Sequence, residues 1–275
     1  MKKAIDISSY QIDVDYEKVK SSGIDMVILR AGYTGYGIEK SKNKDTMFET
    51  HYKGFTEVGI PIGVYWYSCA YSENEAIIEA KNVLKIIQNK KISLPVFIDV
   101  EDDHNINEPG CSRENQVTIG KQKLTSIVNA FCETIETAGE YVGIYASTYW
   151  LETMLNMNIL NKYDVWVAHW WVSKPTYKGK YGMWQYSSTG KVRGINGNVD
   201  MDYVYKDYPT IIKENNLNNY QNNNTNDLFY IVKSGDTLIG IASKFNKNWK
   251  EIYENNRNLI GDNPDLIIPG QKLKI

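Results

Sequence analysis

The sequence lacks an excess of charge of either sign. Its 31 basic and 33 acidic residues give a formal net charge of −2 at pH 7. A protein that binds nucleic acid or an anionic membrane carries a basic surplus, because phosphate groups attract positive side chains. We therefore expect no nucleic acid and no membrane among the partners of this chain, and the sequence leaves its oligomeric state open.

Cysteine and histidine are scarce, with 3 residues of each type among 275. The cysteines form no CxxC pair and are too few for a disulfide scaffold, so we expect buried or half-buried thiols at Cys69, Cys111 and Cys132. The histidines are dispersed and form no HExxH motif: His51, His104 and His169. Because zinc hydrolases need clustered ligands, we expect no metal and no cofactor. A cysteine peptidase is the weaker alternative, since Cys69 and Cys132 lie in apolar segments.

Long apolar runs are absent too. No run approaches the roughly 20 residues that a membrane-spanning helix requires. Residues 1–7, MKKAIDI, enter a predicted strand at once, which leaves no room for the apolar core and cleavage site of a signal peptide. We expect neither a transmembrane helix nor a secretory leader.

Asparagine, by contrast, is concentrated in one segment. Residues 214–227, ENNLNNYQNNNTND, are more than half Asn and contain almost no apolar side chains. Such a segment cannot offset the entropy lost on ordering, so we predict a flexible linker. The linker divides the chain into a domain at 1–213 and a second, small domain at 228–275.

Before this linker, short runs rich in Val, Ile and Tyr alternate at first with amphipathic stretches long enough for helices. The pattern predicts an α/β domain with eight strands, at 3–7, 26–31, 60–68, 94–101, 141–146, 164–169, 182–186 and 198–204. Eight strands with early helical crossovers predict a closed, parallel, TIM-like barrel whose site lies at the C-terminal strand ends. The connections on both sides of the seventh strand are short and lack helical periodicity, so we expect the last helices to be missing.

One apolar strand ends in acids. It reads LPVFIDVED over residues 94–102, and Asp99 and Glu101 should face the same side, about 6.7 Å apart at Cα. Asp6 ends the first strand, and Asp200 lies in the eighth, which adjoins the first when a barrel closes. We predict that all four carboxyl groups share one pocket.

Crowded, desolvated carboxylates repel each other, so one of them should stay protonated near neutral pH. Glycoside cleavage needs such an acid. The longer Glu101 is the candidate proton donor, and Asp99 is the candidate that stabilises developing positive charge or orients a sugar group. The alternative is that strand-end acids only cap helices or meet solvent, which three converging strand ends make less attractive.

Aromatic residues lie near the same strand ends and suit the stacking of sugars. The candidates for substrate binding are Tyr65, Tyr67, Tyr145, Trp170 and Trp184, together with the polar Gln185. Trp66, Tyr149 and Trp171 lie in the same segments. Because alternate residues of a strand fill the core, packing remains an open alternative for each ring.

Five segments, in order, resemble glycoside hydrolase family 25, the Chalaropsis-type lysozymes of phage endolysins and bacterial autolysins. They are DISS at 6–9, GVYWY at 63–67, DVE at 99–101, WVAH at 166–169, and MWQYSS at 183–188 running on to Val199-Asp200. The resemblance implies hydrolysis of the β-1,4 bond from N-acetylmuramic acid to N-acetylglucosamine in bacterial peptidoglycan. It also implies an irregular (β/α)5(β)3 barrel.

By the same resemblance, Glu101 is the proton donor, Asp99 its partner carboxylate, and Asp6 and Asp200 are further acids at the cleft floor. Retention assisted by the N-acetyl group of the substrate is implied as well, while the residues themselves leave inversion open. Two departures stand out: Trp66 occupies a position where His is common, and Asp202 is an additional acid beside Asp200.

The last 48 residues, 228–275, predict the order strand, helix, helix, strand and resemble a LysM module. The resemblance rests on YIVKSGDTLIGIA from 230 and NPDLIIPGQKL from 263. It implies a groove that binds N-acetylglucosamine-containing glycans, lined by Gly235, Asp236, Thr237, Leu238, Asp265, Leu266, Ile267 and Ile268. Helix capping by Asp236 or Thr237 is the plainer alternative for part of this set.

Two other functions stay open from the sequence. One is a wall-binding protein without catalysis, and the other is a glucosaminidase or chitinase-like glycosidase. The resemblance implies an endolysin or autolysin, made in the cytoplasm, that acts on the wall after holin-dependent or other non-classical release.

Overall fold

The computed structural model describes residues 1–35, 41–101, 116–220 and 229–275. The chain divides into two compact units, Met1–Gln221 and Asn222–Ile275. Within the described ranges, no helix is long and apolar enough to cross a membrane. Among the described residues, Cys69 and Cys132 are buried and form no disulfide, whereas Cys111 and His104 lie outside the described residues.

In the part of the first unit that the structure describes, nine strands form one sheet. They are β1 (Lys2–Ile7), β2 (Met26–Thr34), β3 (Lys42–Lys44), β4 (Ile62–Tyr67), β5 (Val96–Asp99), β6 (Val142–Ser147), β7 (Asp164–Ala168), β8 (Met183–Gly190) and β9 (Val199–Val204). The helices are α1 (Tyr16–Ser21), α2 (Phe48–Glu57), α3 (Glu73–Ile87), α4 (Lys121–Thr137), a π-helical turn (Trp150–Met154), α5 (Met157–Leu160) and α6 (Tyr208–Glu214). All eight predicted strands are present.

The sheet closes into a barrel because β1 pairs with both β2 and β9, while the short β3 is an added edge that pairs with β2. The predicted α/β barrel is thereby confirmed. The barrel strands β1, β2, β4, β5, β6, β7 and β8 run parallel to their neighbours in the barrel, but β9 runs antiparallel to both β8 and β1. The expectation of an all-parallel barrel is wrong at this last strand. The connection at 191–198 is too short for a parallel crossover, which takes a dozen or more residues.

The helices cover only part of the barrel. Helices follow each of the first five barrel strands, whereas residues 169–182 and 191–198, all described, contain none. This confirms the predicted (β/α)5(β)3 architecture, in which the last connections lack helices. Where β7, β8 and β9 line the barrel, the strands are therefore joined by loops and not by helices.

Alternation along the strands produces an inner and an outer core. The inner cluster includes Ala4, Phe97 and Trp166, while the outer cluster lies between the barrel and its helices. On β4, Tyr65 packs against the inner cluster and Trp66 belongs to the outer one, fully buried. The indole of Trp66 donates to Oγ1 of Thr34 at 3.3 Å, so the unusual tryptophan has a packing role.

The first half of the predicted linker is part of the barrel unit. Asn218 is 1% exposed, and its amide donates to the carbonyls of Ile92 and Leu94 at 3.1 and 3.0 Å. Its Oδ1 accepts from the backbone N–H of Tyr141 at 2.6 Å, and the Tyr220 hydroxyl contacts that of Ser93 at 2.6 Å. Composition predicted a linker, but an Asn side chain carries both donors and an acceptor and satisfies open backbone groups below β5 and β6. Residues 221–228 lie outside the described residues.

The second unit pairs β10 (Phe229–Ile231) with β11 (Lys272–Lys274) in antiparallel register. Between them lie α7 (Leu238–Lys244), α8 (Trp249–Asn255) and the short α9 (Arg257–Ile260), which the sequence did not predict. The core of this unit is built from Val232, Leu238, Ile241, Ala242, Ile252, Ile260, Leu273 and Ile275. The predicted order of strand, helix, helix and strand is present.

Candidate active site

Three strands bring four acids to one end of the barrel. Asp6, the penultimate residue of β1, lies directly opposite Asp200 in the β1–β9 register. Asp99 ends β5, and Glu101, half-buried, lies two residues beyond it. Because β9 runs antiparallel, its beginning meets the C-terminal ends of the other strands, which is why Asp200 reaches the mouth. A parallel β9 would have placed Asp200 at the opposite end.

The acids interact strongly because they are buried. Asp6 and Asp99 are each 5% exposed. Burial first, and then the charges of Asp200 and Asp202, raise the pKa of Asp6 well above its ordinary value. Burial and then the charge of Glu101 raise the pKa of Asp99 well above its ordinary value. Burial raises the pKa of Asp200 to about 6. Burial therefore disfavours the ionised form of all three carboxyl groups.

Gln185 fixes Asp6 in place. Its amide nitrogen donates to Oδ2 of Asp6 at 2.8 Å, and its oxygen accepts from the Tyr145 hydroxyl at 2.9 Å and from the Trp170 indole at 3.0 Å. Gln185 is 2% exposed. One buried amide therefore joins β8 to β1, to β6 and to the loop after β7.

Arg30 is a positive charge close to Asp99. Burial raises the pKa of Asp99 most strongly, and the charge of Arg30 partly opposes this effect by lowering it. Arg30 lies in β2, where its Nε contacts Oδ2 of Asp45 at 2.7 Å. Arg30 was not among the site residues predicted from the sequence. The signal was available, because Arg30 interrupts an otherwise apolar strand, and a charge in such a strand indicates a specific partner.

The Oδ1 atom of Asp99 is buried and has no hydrogen-bond partner among the described residues. A buried acceptor without a donor costs free energy, about 1–3 kcal/mol. A ligand that carries an N–H or O–H group and enters the mouth can satisfy this atom. Asp99 is therefore placed to bind and orient a polar group of a ligand.

The predicted aromatic residues separate into two groups. Tyr67 is paired in register with Asp99, and Tyr65 packs edge-on against the indole of Trp166 with ring centroids 6.2 Å apart. Trp184, in contrast, lies in the outer cluster, 5% exposed, with its N–H bound to the carbonyl of His169 at 2.8 Å. Since Gln185 faces inward, its neighbour Trp184 faces outward. Trp184 was predicted from the sequence to bind sugar, but in the structure its side chain faces the outer core and not the mouth of the barrel.

Trp171, which follows Trp170 in the loop after β7, is 86% exposed and has a positive φ of 57°. This left-handed conformation is an outlier for a bulky residue. Its ring meets that of Trp170 edge-to-face, with centroids 5.7 Å apart. Trp171 is therefore an exposed ring, joined through Trp170 and Gln185 to the acids.

Residues 5–195 match the family model described as glycosyl hydrolases family 25, which covers more than half of the chain. The chain belongs to glycosyl hydrolase family 25. Residues 230–275 of this family 25 chain match the LysM domain.

The family 25 chain is 30% identical, over 202 residues, to the autolytic lysozyme of Clostridium acetobutylicum, covering 73% of this chain and 55% of that protein. It thus spans about half the length of this curated relative. Among solved structures, it resembles the modular autolysin LytC of Streptococcus pneumoniae at 30% identity and a TM-score of 0.61, covering 73% of this chain and 46% of that one. The lysozyme of Streptomyces coelicolor shares the fold at 24% identity and a TM-score of 0.63, covering 80% and 98%.

In the LysM unit of this family 25 chain, Gly235 adopts φ +84°, and Thr237 caps α7 by accepting from the N–H of Gly240 at 3.1 Å. Asp236 instead accepts from Tyr230, Lys233 and Lys244, which lowers its pKa to about 2. The capping alternative therefore applies to Thr237 and not to Asp236.

The remaining LysM candidates differ in exposure. Leu238 is buried in the core at 4% exposure, whereas Leu266 and Ile268 are 61% and 62% exposed. Ile267 is half-buried against the core, and Asp265 is exposed. The exposed apolar side chains of the predicted groove are thus Leu266 and Ile268.

Proposed function

We propose that this family 25 chain is a peptidoglycan hydrolase, an N-acetylmuramidase that cleaves the β-1,4 bond from N-acetylmuramic acid to N-acetylglucosamine. The observation that carries the proposal is the convergence of Asp6, Asp99, Glu101 and Asp200 on one barrel mouth. Glycoside cleavage requires a protonated carboxyl for the leaving oxygen and a second carboxyl near the developing positive charge. Similarity to a protein named autolytic lysozyme supports the wall polymer as the substrate.

Glu101 is the proton donor in this proposal. Asp99 and Glu101 repel each other's negative charge, so ionising one of them disfavours ionisation of the other. Glu101 is half-buried and Asp99 nearly fully buried, so Glu101 is the one that reaches a glycosidic oxygen. Protonation of that oxygen turns a poor leaving group into a neutral alcohol.

Asp99 orients the substrate at the base of the mouth, through the Oδ1 atom that no donor of the described residues reaches. An N-acetyl N–H or a sugar hydroxyl supplies the missing hydrogen bond, and the carboxylate stabilises positive charge as the glycosidic bond breaks. Asp6 and Asp200, in direct register on β1 and β9, form the acidic floor. Tyr65, Tyr67, Tyr145 and Trp170, together with Gln185, form the wall against which sugar rings lie.

The LysM unit binds N-acetylglucosamine-containing glycan in the same proposal, with Leu266 and Ile268 as its exposed apolar contacts. It adds effective concentration and no chemistry, because a tethered barrel stays near many bonds of the polymer. We also propose that the catalytic domain extends to residue 220 and that the linker to the LysM domain follows it. As an endolysin or autolysin, the protein would act on the wall after release from the cell.

The test is digestion of purified peptidoglycan followed by analysis of the new reducing ends. New muramic acid ends support the proposal, new glucosamine ends indicate a glucosaminidase, and no new ends indicate a binding protein without catalysis. Glu101→Gln should lower the rate of wall digestion at least about 100-fold, in keeping with the loss of general acid catalysis. Glu17→Gln, at an exposed position of α1, is the matched control and should digest walls at the parental rate.

A further inference from the structure

Arg30 is a charged side chain on the inner face of the barrel that the proposed chemistry does not use. On β2, Ile28 belongs to the inner cluster, whereas Leu29 and Ala31 belong to the outer one. Because side chains alternate along a strand, Arg30 shares the inner face with Ile28. It lies two residues nearer the C-terminal end of β2 than Ile28, which is the register partner of Asp6. Arg30 therefore lies nearer the entrance of the mouth than Asp6.

A β-bulge places Tyr33 on the same face as Arg30. The register pairs Arg30 with Tyr65 on β4, and it shifts between Arg30 and Gly32. Beyond the shift, Tyr33 pairs with Tyr67. Tyr65 and Tyr67 are two residues apart and share a face of β4, so the extra residue of the bulge brings their partners on β2 to one face as well.

Four contacts fix the guanidinium of Arg30. Nε donates to Oδ2 of Asp45 at 2.7 Å, and Nη2 donates to Oγ of Ser9 at 2.9 Å. The rings of Tyr10 and Tyr33 have their centroids 5.3 and 5.0 Å from Cζ, within the range of cation–π attraction. A guanidinium has further N–H donors, and none of the described residues accepts a hydrogen bond from Nη1. The side chain is 13% exposed, so these donors are accessible to a ligand.

The order of the strands places Arg30 between two of the acids. Asp6 lies on β1, Arg30 on β2 and Asp99 on β5, with β4 between the last two strands. Because neighbouring strands are about 4.8 Å apart, β2 and β5 are about 10 Å apart. One sugar ring with its substituents spans a gap of this size. A sugar that binds Asp99 therefore extends a neighbouring substituent towards Arg30.

The chemistry of the two sugars indicates which substituent this is. N-acetylmuramic acid differs from N-acetylglucosamine in one group, a lactyl ether at C3. That carbon is next to C2, which carries the N-acetyl group that Asp99 receives in the proposed function. The lactyl group ends in a carboxylate or, where a stem peptide is attached, in an amide carbonyl. Both oxygens accept hydrogen bonds from a guanidinium.

We propose that Arg30 is a specificity-determining residue that donates from Nη1 to the lactyl oxygen of the N-acetylmuramic acid whose glycosidic bond is cleaved. This inference rests on the proposed function, since it names the residue of the same site that distinguishes the two sugars of the polymer. Asp45, Ser9 and the two tyrosine rings hold the guanidinium before the substrate arrives, which reduces the entropy lost on binding.

The first test compares three soluble oligosaccharides of equal length with the full chain. One alternates N-acetylglucosamine with peptide-free N-acetylmuramic acid, the second carries stem peptides on its lactyl groups, and the third is a chitooligosaccharide, which has no lactyl group. Arg30→Lys keeps a positive charge for Asp45 and loses the forked donor. It should lower kcat/KM at least about tenfold on one or both muramyl substrates, the effect of one lost hydrogen bond to a charged group.

The chitooligosaccharide is the substrate control. Arg30→Lys should leave its kcat/KM unchanged or, where the parental chain does not cleave it, leave its inhibition constant against the muramyl substrates unchanged. A loss as large as that on the muramyl substrates, or no loss on either muramyl substrate, would overturn the inference. Loss on the peptide-free substrate alone identifies the lactyl carboxylate as the ligand, and loss on the peptide-bearing substrate alone identifies the amide carbonyl.

Two further variants control for folding and for the substitution itself. Arg257→Lys, at an exposed position of the LysM unit, should leave all three substrates unchanged. If thermal unfolding shows Arg30→Lys to be unfolded, the double variant of Arg30→Gln and Asp45→Asn removes both charges of the buried pair together. It should show the same selective loss on muramyl substrates.

Binding to a chain that does not cleave separates this inference from the proposed function. In the Glu101→Gln background, Arg30→Lys should weaken binding of the affected muramyl oligosaccharide at least about tenfold in isothermal titration calorimetry. Binding of the chitooligosaccharide should not change, and equal weakening of both would overturn the inference. The LysM unit is the same in both chains, so a difference between them reports the barrel. A parental chain that releases no new reducing ends refutes the proposed function, while these binding constants still decide whether Arg30 contacts a lactyl group.

Discussion

Arg30 and Asp45 form a buried ion pair beside the acid cluster, with Nε of Arg30 2.7 Å from Oδ2 of Asp45. The side chain of Asp45 is 0% exposed and that of Arg30 is 13% exposed. Asp45 also accepts from the backbone N–H groups of Ser9 and Met47, at 3.0 and 2.8 Å. One carboxylate thus connects the loop after β1, the strand β2 and the start of α2.

Asp45→Asn should lower the free energy of unfolding by about 3 kcal/mol, because it leaves the guanidinium of Arg30 buried without its counter-charge. The measurement is equilibrium unfolding in denaturant. The control is Glu57→Gln in the exposed pair of Lys53 and Glu57, which are 3.9 Å apart, and it should change stability by less than about 0.5 kcal/mol. Similar losses in the two variants would show that burial does not govern the Arg30–Asp45 pair.

Glu79, on α3, predicts how stability depends on pH. It is buried between the hydroxyls of Thr34 and Ser68, and burial raises its pKa from 4.5 to about 7. Between these values the folded state keeps a proton that the unfolded state has released, so stability falls as pH rises through this window. The contribution of this one group is about 3 kcal/mol. Above pH 7 its contribution no longer changes.

Glu79→Gln should therefore flatten the decline in the free energy of unfolding between pH 4.5 and 7. The measurement is a series of denaturant titrations across that range. Glu73→Gln, at an exposed position of the same helix, should leave the slope unchanged. An unaltered slope in Glu79→Gln would mean that this carboxyl is ionised in the folded protein throughout the range.

Trp171 predicts a trade-off between stability and activity. Trp171→Gly should raise the free energy of unfolding by about 1 kcal/mol, since glycine adopts a positive φ without strain and the exposed ring loses no buried area. Wall digestion should fall about fivefold, because the ring of Trp171 packs edge-to-face on Trp170, one of the proposed sugar-binding residues, and such a ring contact is worth about 1 kcal/mol. Trp171→Ala is the matched control, because it removes the ring and keeps the strain. It should show the loss of activity without the gain in stability.

The LysM unit predicts a difference between substrates. Leu266→Ser should lower digestion of insoluble walls several-fold and leave digestion of soluble fragments at the parental rate, because avidity matters only on the polymer. Ile159→Ser, on α5 of the barrel unit, is the control for loss of an exposed apolar residue, since Ile159 is 53% exposed and Leu266 is 61% exposed. Equal loss on both substrates would contradict the proposed role of this unit.

The barrel could be predicted because its signals are local. The structure confirms three of these signals. They are the short runs of β-forming residues, the helical spacing between the first of those runs, and the lack of helices near the seventh strand. The direction of β9 was missed, although the length of the 191–198 connection already excludes a parallel crossover. The number of residues between the seventh and eighth strands therefore predicts the antiparallel direction of β9, in addition to the lack of a helix there.

The site was predicted where a residue type alone indicates chemistry, as for Asp99 and Glu101 at the end of an apolar strand. Trp184 was wrongly predicted to bind sugar because the prediction considered only its aromatic ring. Consecutive residues of a strand point to opposite faces of the sheet, so Trp184 faces outward when Gln185 faces inward. The role of Asn218 follows from contacts with strands distant in sequence, and composition cannot reveal such contacts. Long-range pairing therefore explains most of what the sequence did not show.

The hydrogen bonds that Asn218 makes to Ile92, Leu94 and Tyr141 also determine where other proteins can be attached. They fasten the chain beneath β5 and β6, and β1 begins at Lys2 on that same side of the barrel. Both ends of the folded barrel therefore emerge away from the acids. A fluorescent protein, an affinity tag or a solid support joined before Lys2 or after Tyr220 would leave the entrance to the cleft unobstructed.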